Sequence, residues 1–159
     1  MSQPLLPANV RERIAQWILR YPPEQKRSGV FEALRLAQEL HGHLTVPVMD
    51  EVADILEMPH IAVYEVATFY SMYHLNPVGK HVINVCTNIS CSLNGAEKVL
   101  EHMKNRLGID LNQTTADGKF TLKEVECLGA CVSAPVCQID RQYHEKLSLE
   151  KVDEILDKL

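Results

Sequence analysis

Residues 80–91 read KHVINVCTNISC and residues 120–131 read FTLKEVECLGAC, and the organisation of the chain follows from these two stretches. Each begins with a run of β-branched and apolar residues of strand length. Each ends in a pair of cysteines, separated by four residues in the first stretch and by three in the second. The two pairs are Cys86 with Cys91, and Cys127 with Cys131. A single loop can therefore bring the two sulfur atoms of each pair together.

The chain between these stretches predicts a helix that ends at Gly108, because apolar residues recur at helical spacing from 96 to 107. Strand, helix, strand is a right-handed crossover unit, so the two strands are parallel and end at the same edge of a sheet. Both cysteine loops then project from that edge, where ligands generally bind in parallel sheets. Cys91 is expected directly before the helix. A further short strand at 135–139 and a last helix capped by Ser148 complete this half.

Four thiolates that converge at one edge are the usual ligand set of an iron–sulfur cluster or of a structural zinc ion. Zinc sites most often use two-residue spacers, and both pairs here are wider. A wider pair suits one iron of a two-iron cluster, with the second pair on the other iron. The spacing therefore favours a 2Fe-2S cluster over zinc, and either metal over two disulfides. A zinc-stapled interaction module without a redox role stays open as an alternative of another class.

The composition of the 159 residues is that of an ordinary globular protein, with 46% hydrophobic residues and a net charge of −5. The negative charge and the lack of a Lys or Arg run argue against nucleic-acid binding. No stretch reaches the ~20 apolar residues of a membrane helix, so direct membrane insertion is not expected. The N-terminus has no apolar segment behind a basic start, and neither a secretory signal nor a transit peptide is predicted. We therefore expect a cytoplasmic location in which thiols stay reduced.

Residues 1–78 predict a helical domain with four helices. The second helix places Phe31, Leu34, Ala37 and Leu40 on one side, and Gly42 is its expected cap. The fourth carries more apolar side chains than a small core needs, so part of it is expected to face another protein. The helical pattern breaks at Asn76-Pro77-Val78-Gly79. The sequence therefore predicts a helical docking domain at 1–78, an α/β domain at 79–159, and an α+β fold class.

Several motifs in order along the chain resemble the family of small 2Fe-2S subunits of NADH:quinone oxidoreductase, the 24 kDa subunits of respiratory complex I. The resemblance runs from about Leu34 to the C-terminus. Agreement among several motifs is far more specific than either cysteine pair alone. The motifs are Ala67-Thr68-Phe69-Tyr70, Pro77-Val78-Gly79-Lys80, the two cysteine pairs, Glu126-Cys127-Leu128-Gly129-Ala130-Cys131, and Ala134-Pro135.

The resemblance implies an N-terminal helical bundle followed by a thioredoxin-like domain with a small mixed sheet that carries one 2Fe-2S cluster. The family's four ligands match Cys86, Cys91, Cys127 and Cys131. The implied function is that of a one-electron carrier subunit, with its cluster near the FMN of an NADH-binding flavoprotein. That partner, which in the family also carries a 4Fe-4S cluster, holds the FMN and the NADH.

The same resemblance implies a larger respiratory complex, peripheral to the inner membrane. Because no signal or transit peptide is predicted, we expect a bacterial-type chain. An equivalent subunit of an NAD-linked hydrogenase or formate dehydrogenase is the alternative within the redox class, beside a free-standing ferredoxin. The chain itself has no G-x-G-x-x-G after a strand, no Walker loop and no Cys-x-x-Cys. We therefore expect an electron-transfer subunit without an NADH site or acid–base catalytic residues of its own.

The surroundings of the cluster are expected to come from the loops 88–95 and 128–134, which would exclude water and donate N–H groups to sulfur. Gly129 is the best candidate for close backbone approach. By analogy with thioredoxin-like domains, the Ala134–Pro135 bond is expected to be cis. Cys137 lies outside the pattern and is interpreted as a buried structural thiol. The predicted cluster environment is Ser92, Gly129, Ala130, Pro135 and Val136.

Overall fold

The computed structural model describes residues 4–159, and the chain divides into two compact units between Pro77 and Val78. The division lies within the segment where the helical pattern breaks. We describe each unit by itself, and the docking role of the first half stays a prediction. None of the helices among residues 4–159 has the length and apolar character needed to span a membrane.

The first unit contains the four helices that the apolar pattern predicts. A 3-10 segment, Pro23–Gly29, follows the first of them, and Gly42 ends the second at a φ of 77°, a conformation that favours glycine. Their core is aliphatic and includes Leu34, Val52 and Val63, none of which is exposed to solvent. The helices are α1 (Ala8–Ile18), α2 (Val30–His41), α3 (Val46–Leu56) and α4 (His60–Phe69).

Two residues of the predicted apolar side of α2 are not in this core. Phe31 and Leu40 are 39% and 45% exposed, whereas Ala33 and Leu36 are buried. The prediction was wrong for these two positions. Phe31 lies outside the stripe of buried residues, and Leu40 lies in the last turn of α2, two residues before Gly42. Phe31 instead stacks edge-on against Tyr70, with ring centroids 4.8 Å apart.

His60 at the start of α4 joins this helix to α3. Its Nδ1 lies 3.0 Å from a carboxylate oxygen of Asp50, and its Nε2 lies 3.0 Å from one of Asp54. The hydrogen bond to Asp54 raises the pKa of His60, and the charges of both carboxylates act in the same direction. The folded unit therefore stabilises the protonated form of the His60 side chain relative to the unfolded chain.

This shift predicts a pH dependence of the helical unit. Because the folded pKa is raised above the unfolded value of about 6.5, the contribution of His60 is complete below that pH. It is lost as the pH rises through the folded pKa. We expect the urea midpoint, followed by the fluorescence of the single Trp17, to fall over this interval. A His60→Gln variant should lack this part of the fall, and parallel curves for parent and variant would contradict the assignment.

The second unit is a four-stranded mixed sheet with helices. The resemblance implied a small mixed sheet, and the sequence predicted three of its four strands. The strand order is β2-β1-β3-β4, in which β1 pairs in parallel with β2 and antiparallel with β3. The strands are β1 (His81–Cys86), β2 (Phe120–Val125), β3 (Cys137–Ile139) and β4 (Gln142–His144). The helices are α5 (Ile89–Leu93), α6 (Ala96–Leu107) and α7 (Leu149–Lys158).

Local chemistry explains how this sheet forms. Ile83 and Val85 of the central strand β1 are fully buried and pack in one core with Leu122 of β2, Met103 of α6 and Val152 of α7. In the parallel register Cys86 lies beside Val125, so the two strands end together. Gly79 is the second residue of the unit, and a Cβ atom at this position would lie 2.9 Å from the backbone carbonyl carbon of Phe120. Only glycine fits that approach without a shift of the backbone.

The sequence missed two short elements of the second unit. Cys91 does not precede the long helix directly but lies within the separate five-residue helix α5, so the prediction of a loop at 88–95 was wrong there. Gly95, at a φ of 89°, separates α5 from α6. The strand β4 was not predicted either. The helix α5 has five residues and the strand β4 has three, and elements of this length are too short to show an apolar periodicity.

Candidate metal centre

Four cysteines lie where β1 and β2 end. Cys86 is the last residue of β1, and Cys91 is the central residue of α5, which follows it. Cys127 comes two residues after β2, and Cys131 begins a 3-10 turn, Cys131–Ser133. Because the two strands are parallel neighbours, the two cysteine segments, residues 86–93 and 127–133, leave the sheet at the same edge, as the crossover rule predicted.

The sulfur atoms within each pair are close together. The Sγ atoms of Cys127 and Cys131 are 3.6 Å apart, and the thiols of Cys86 and Cys91 are hydrogen-bonded to each other. A tetrahedral metal with bonds of about 2.3 Å to sulfur separates two ligand sulfurs by roughly 3.8 Å. The spacing of the second pair therefore already fits one metal atom. Cys91 also interacts electrostatically with Cys131, which connects the two pairs.

One pair is buried and the other is at the surface. Cys86 and Cys91 are each 2% exposed and pack with Ala96 and Val136. Cys127 and Cys131 are exposed. The partly buried side chains of Leu128, Ala130 and Ala134 pack against the buried pair. A metal group held by all four sulfurs would thus be shielded from water on one side and open on the other.

Backbone N–H groups point at the sulfurs. Gly129, at a φ of 78°, donates its N–H to Cys127 Sγ over 3.4 Å, and Val136 donates to the sulfur of Cys91. Burial raises the pKa of the Cys91 thiol, and the neighbouring Cys86 adds to this, while the Val136 N–H lowers it. Such donors stabilise negative charge on sulfur and tune the potential of iron–sulfur clusters. The donor at Gly129 is the close backbone approach that the sequence suggested.

Pro135 and Ser92 were also predicted to lie near the centre, and their side chains differ in burial and in hydrogen bonding. Pro135 is buried, and the Ala134–Pro135 bond is cis, as the resemblance implied. Its carbonyl accepts a hydrogen bond of 3.0 Å from the N–H of Leu147. The hydroxyl of Ser92 donates to the carboxylate of Glu97, so that side chain is engaged within the helical segment. A place for Ser92 beside the cluster stays a prediction.

Cys137 is separate from this centre. It is fully buried in β3 and packs in the core of the sheet with Ile83 and Leu122. Burial raises the pKa of its thiol to about 12, so it is protonated at neutral pH. The structure therefore places Cys137 as the structural thiol that the sequence analysis inferred.

Sequence reasoning missed Tyr143 of β4. Its hydroxyl donates to the carbonyl oxygen of Leu128 over 2.9 Å and so connects β4 to the loop that carries the exposed cysteines. No local pattern predicts this contact, because it joins residues 15 positions apart through a strand of three residues.

A Tyr143→Phe variant should hold the predicted 2Fe-2S cluster less firmly. The variant removes only the hydroxyl, and a net hydrogen bond is worth about 1 kcal/mol, which corresponds to roughly fivefold faster loss of visible cluster absorbance in a chelator. Tyr70→Phe, in the helical unit, is the control and should leave the rate unchanged. Equal rates for parent and Tyr143→Phe would show that this contact does not restrain the loop.

The arrangement fits a two-iron cluster better than a single ion. Two pairs of thiols, N–H donors to sulfur in both segments and apolar packing are the features of an iron–sulfur site. A single zinc ion would need all four sulfurs around one point, whereas a two-iron cluster needs one pair on each iron. Fold and site together define a small iron–sulfur protein with a helical extension.

Comparison with known families agrees with this class. Residues 14–159 match the family described as thioredoxin-like [2Fe-2S] ferredoxin. The match covers most of the chain, and the protein belongs to this family. Its cofactor is one 2Fe-2S cluster, which decides between iron–sulfur and zinc.

Curated relatives extend the similarity over nearly the whole chain. The chain is 51% identical over 143 residues to the E subunit of the NADH-quinone oxidoreductase of Rickettsia bellii, covering 89% of this chain and 86% of the relative. It is 46% identical over 148 residues to the second E subunit of the NADH-quinone oxidoreductase of Rhizobium meliloti, covering 93% and 87%.

A solved structure shares the fold. The crystal structure of an NAD⁺-reducing [NiFe]-hydrogenase in the H2-reduced state matches with a TM-score of 0.68 and 19% sequence identity. The match covers 79% of this chain but only 21% of the hydrogenase chain. At this identity the likeness concerns the fold alone.

Proposed function

We propose that this chain is the electron-carrying 2Fe-2S subunit of an NADH:quinone oxidoreductase. The observation that carries the proposal is the 51% identity to the Rickettsia bellii relative over 89% of this chain and 86% of that relative. The chain works as an oxidoreductase subunit of a multi-subunit complex. The complex, rather than this chain, would supply the NADH site and the quinone site, and through it the chain would lie at the inner membrane.

The ligands that we assign are Cys86 and Cys91 for one iron, and Cys127 and Cys131 for the other. When bound, the cluster accepts and releases electrons one at a time, whereas NADH delivers them in pairs. The thiolates hold the irons, and the N–H groups of Gly129 and Val136 stabilise negative charge on sulfur. Val136 and Ala96 keep water from the buried pair.

The surface around the exposed pair supports a protein partner. Three large apolar side chains on the two cysteine segments are exposed: Ile89 by 74%, Leu93 by 83% and Val132 by 96%. Exposed apolar side chains on the segments that carry a redox centre suit a docking surface, because they lose water when a partner covers them. We propose that the partner is the NADH-binding flavoprotein subunit with its FMN and 4Fe-4S cluster.

The fold of the NAD⁺-reducing hydrogenase favours one second candidate. An equivalent 2Fe-2S subunit of an NAD-linked hydrogenase, or of a formate dehydrogenase, would use the same centre and also dock on a flavoprotein. The two assignments differ in the other subunits of the complex. Purification of the complex from its own cells and identification of its remaining subunits separates them.

Anaerobic expression followed by iron and acid-labile sulfide assays tests the centre itself. Equal amounts of iron and sulfide, with the paramagnetic resonance signal of a mixed-valence iron pair after dithionite reduction, are the expected result. Stoichiometric zinc without sulfide, persisting after iron reconstitution, would overturn the proposal. Co-purification with a flavoprotein that oxidises NADH tests the partner, and a free monomer in its native cells would contradict that part.

A further inference from the structure

Two side-chain hydrogen bonds connect the segment that follows β1 to the end of β2. The hydroxyl of Thr87 donates to Glu124 Oε1 over 2.5 Å, and the Nδ2 of Asn88 donates to Glu126 Oε2 over 2.8 Å. Thr87 and Asn88 directly follow Cys86, and Glu126 directly precedes Cys127. These bonds therefore join the two segments that carry the four ligand cysteines.

Asn88 makes a second hydrogen bond that involves Cys91. Its Oδ1 accepts from the N–H of Ile89 over 3.0 Å and so caps α5, the short helix that contains Cys91. A five-residue helix cannot stabilise itself and depends on such an end contact. One amide side chain thus fixes the start of the helix with its oxygen and reaches the other ligand segment with its nitrogen.

The chemistry of this position requires an amide. Aspartate offers acceptors for the Ile89 N–H but no donor, and it would place a carboxylate against that of Glu126. Serine caps helices but is one bond shorter and has a single hydroxyl for both contacts. Alanine makes neither contact. Asparagine has both an acceptor for the Ile89 N–H and a donor for Glu126, on a side chain long enough for both contacts.

The hydrogen bond from Asn88 also restricts the side chain of Glu126. Glu126 is exposed, and an exposed glutamate next to a loop samples many rotamers. Its pairing with Asn88 links the residue before Cys127 to the residue two positions after Cys86. The separation of the two ligand pairs is then limited by a short chain of covalent and hydrogen bonds.

We propose that Asn88 and Glu126 are positioning residues that hold the two ligand segments at the separation required by the 2Fe-2S cluster. This inference rests on the proposed function, because it uses the four ligands assigned there. Neither residue is one of the four assigned ligands. They act through the backbone segments that carry the cysteines, and their loss should speed the release of the cluster.

The test is the rate of cluster loss from the full-length iron-loaded protein, followed by its visible absorbance in an excess of EDTA. Asn88→Asp keeps the helix cap and replaces the amide donor by a carboxylate that faces Glu126. We expect at least a fivefold faster loss. Asn105→Ala is a matched control, because it removes an exposed Asn–Glu contact of 3.4 Å, with Glu101, within α6. It should not change the rate.

A double variant separates positioning from general damage. In Asn88→Asp with Glu126→Gln the amide and the carboxylate exchange places. The new amide at position 126 can then donate to the new carboxylate at position 88, with the same side-chain lengths and the same net charge as in the parent. We expect this swap to restore most of the parent rate. A helix or loop that was merely unfolded by Asn88→Asp would not be rescued by a second change.

The outcomes distinguish this inference from the proposed function. A parent rate in Asn88→Asp, or a swap variant as fast as Asn88→Asp, would overturn the positioning role while the cluster assignment stands. A parent protein that holds no iron and sulfide after reconstitution would overturn both.

Discussion

Replacement of Cys91 by alanine is expected to abolish binding of the 2Fe-2S cluster. Cys91 is 2% exposed and hydrogen-bonded to Cys86, so no water or outside side chain can take the place of its sulfur. One iron would then have only three of its four sulfur ligands, and the apolar side chains around the buried pair offer no replacement ligand. Alanine is preferred to serine because a serine oxygen can itself bind iron. Iron and acid-labile sulfide should fall to the background of the assay, with the visible absorbance lost.

Cys137→Ala is the matched control for this experiment. It also removes one buried sulfur, but from the core of the sheet rather than from the end of β1. We expect the cluster to be retained in full. The small cavity should lower the free energy of unfolding by about 1–2 kcal/mol. Loss of the cluster in Cys137→Ala, or its retention in Cys91→Ala, would show that the ligand assignment is wrong.

The parts of this site that the sequence predicted follow from local rules. A run of apolar residues ending at Cys86 and another ending near Cys127 predict two strands, and the helix between them predicts that they are parallel. Parallel neighbours end together, so the convergence of the cysteine segments follows without further information. The same holds for Gly42 and Gly108, which end helices in the left-handed conformation.

The remaining parts depend on contacts that no local pattern encodes. The helix α5 has five residues, among them a β-branched isoleucine and two serines, and its start depends on the bond of Asn88 to Ile89. The contact of Tyr143 with Leu128 requires β4, whose three residues owe their extended form to pairing with β3. Exposure of Leu93 and Val132 likewise could not be read from composition, because apolar residues are normally assigned to a core.

A Leu93→Asp variant is expected to bind the flavoprotein partner roughly a hundredfold more weakly. Leu93 is 83% exposed on the segment that carries Cys91. If a partner covers this segment, the variant loses the burial of a leucine and gains a carboxylate without a counter-charge, together costing about 3 kcal/mol. The exposed position means that the isolated protein should fold and load its cluster as before. Surface-bound flavoprotein titrated with the iron-loaded chain would give the two dissociation constants.

A second variant, Leu19→Asp, tests whether the effect depends on the position of the leucine or only on its hydrophobic character. Leu19 is the same residue with the same exposure, 83%, but it lies in the helical unit directly after α1, not on a cysteine segment. If docking covers the open side of the metal centre, only Leu93→Asp should weaken binding, and electron transfer at saturating partner should remain. An equal loss in both variants would mean that binding is not specific to the cysteine segments, because either the predicted helical docking domain or general surface hydrophobicity contributes as much. No loss in Leu93→Asp would mean that the partner approaches from elsewhere, because a covered leucine cannot become aspartate without a cost in desolvation.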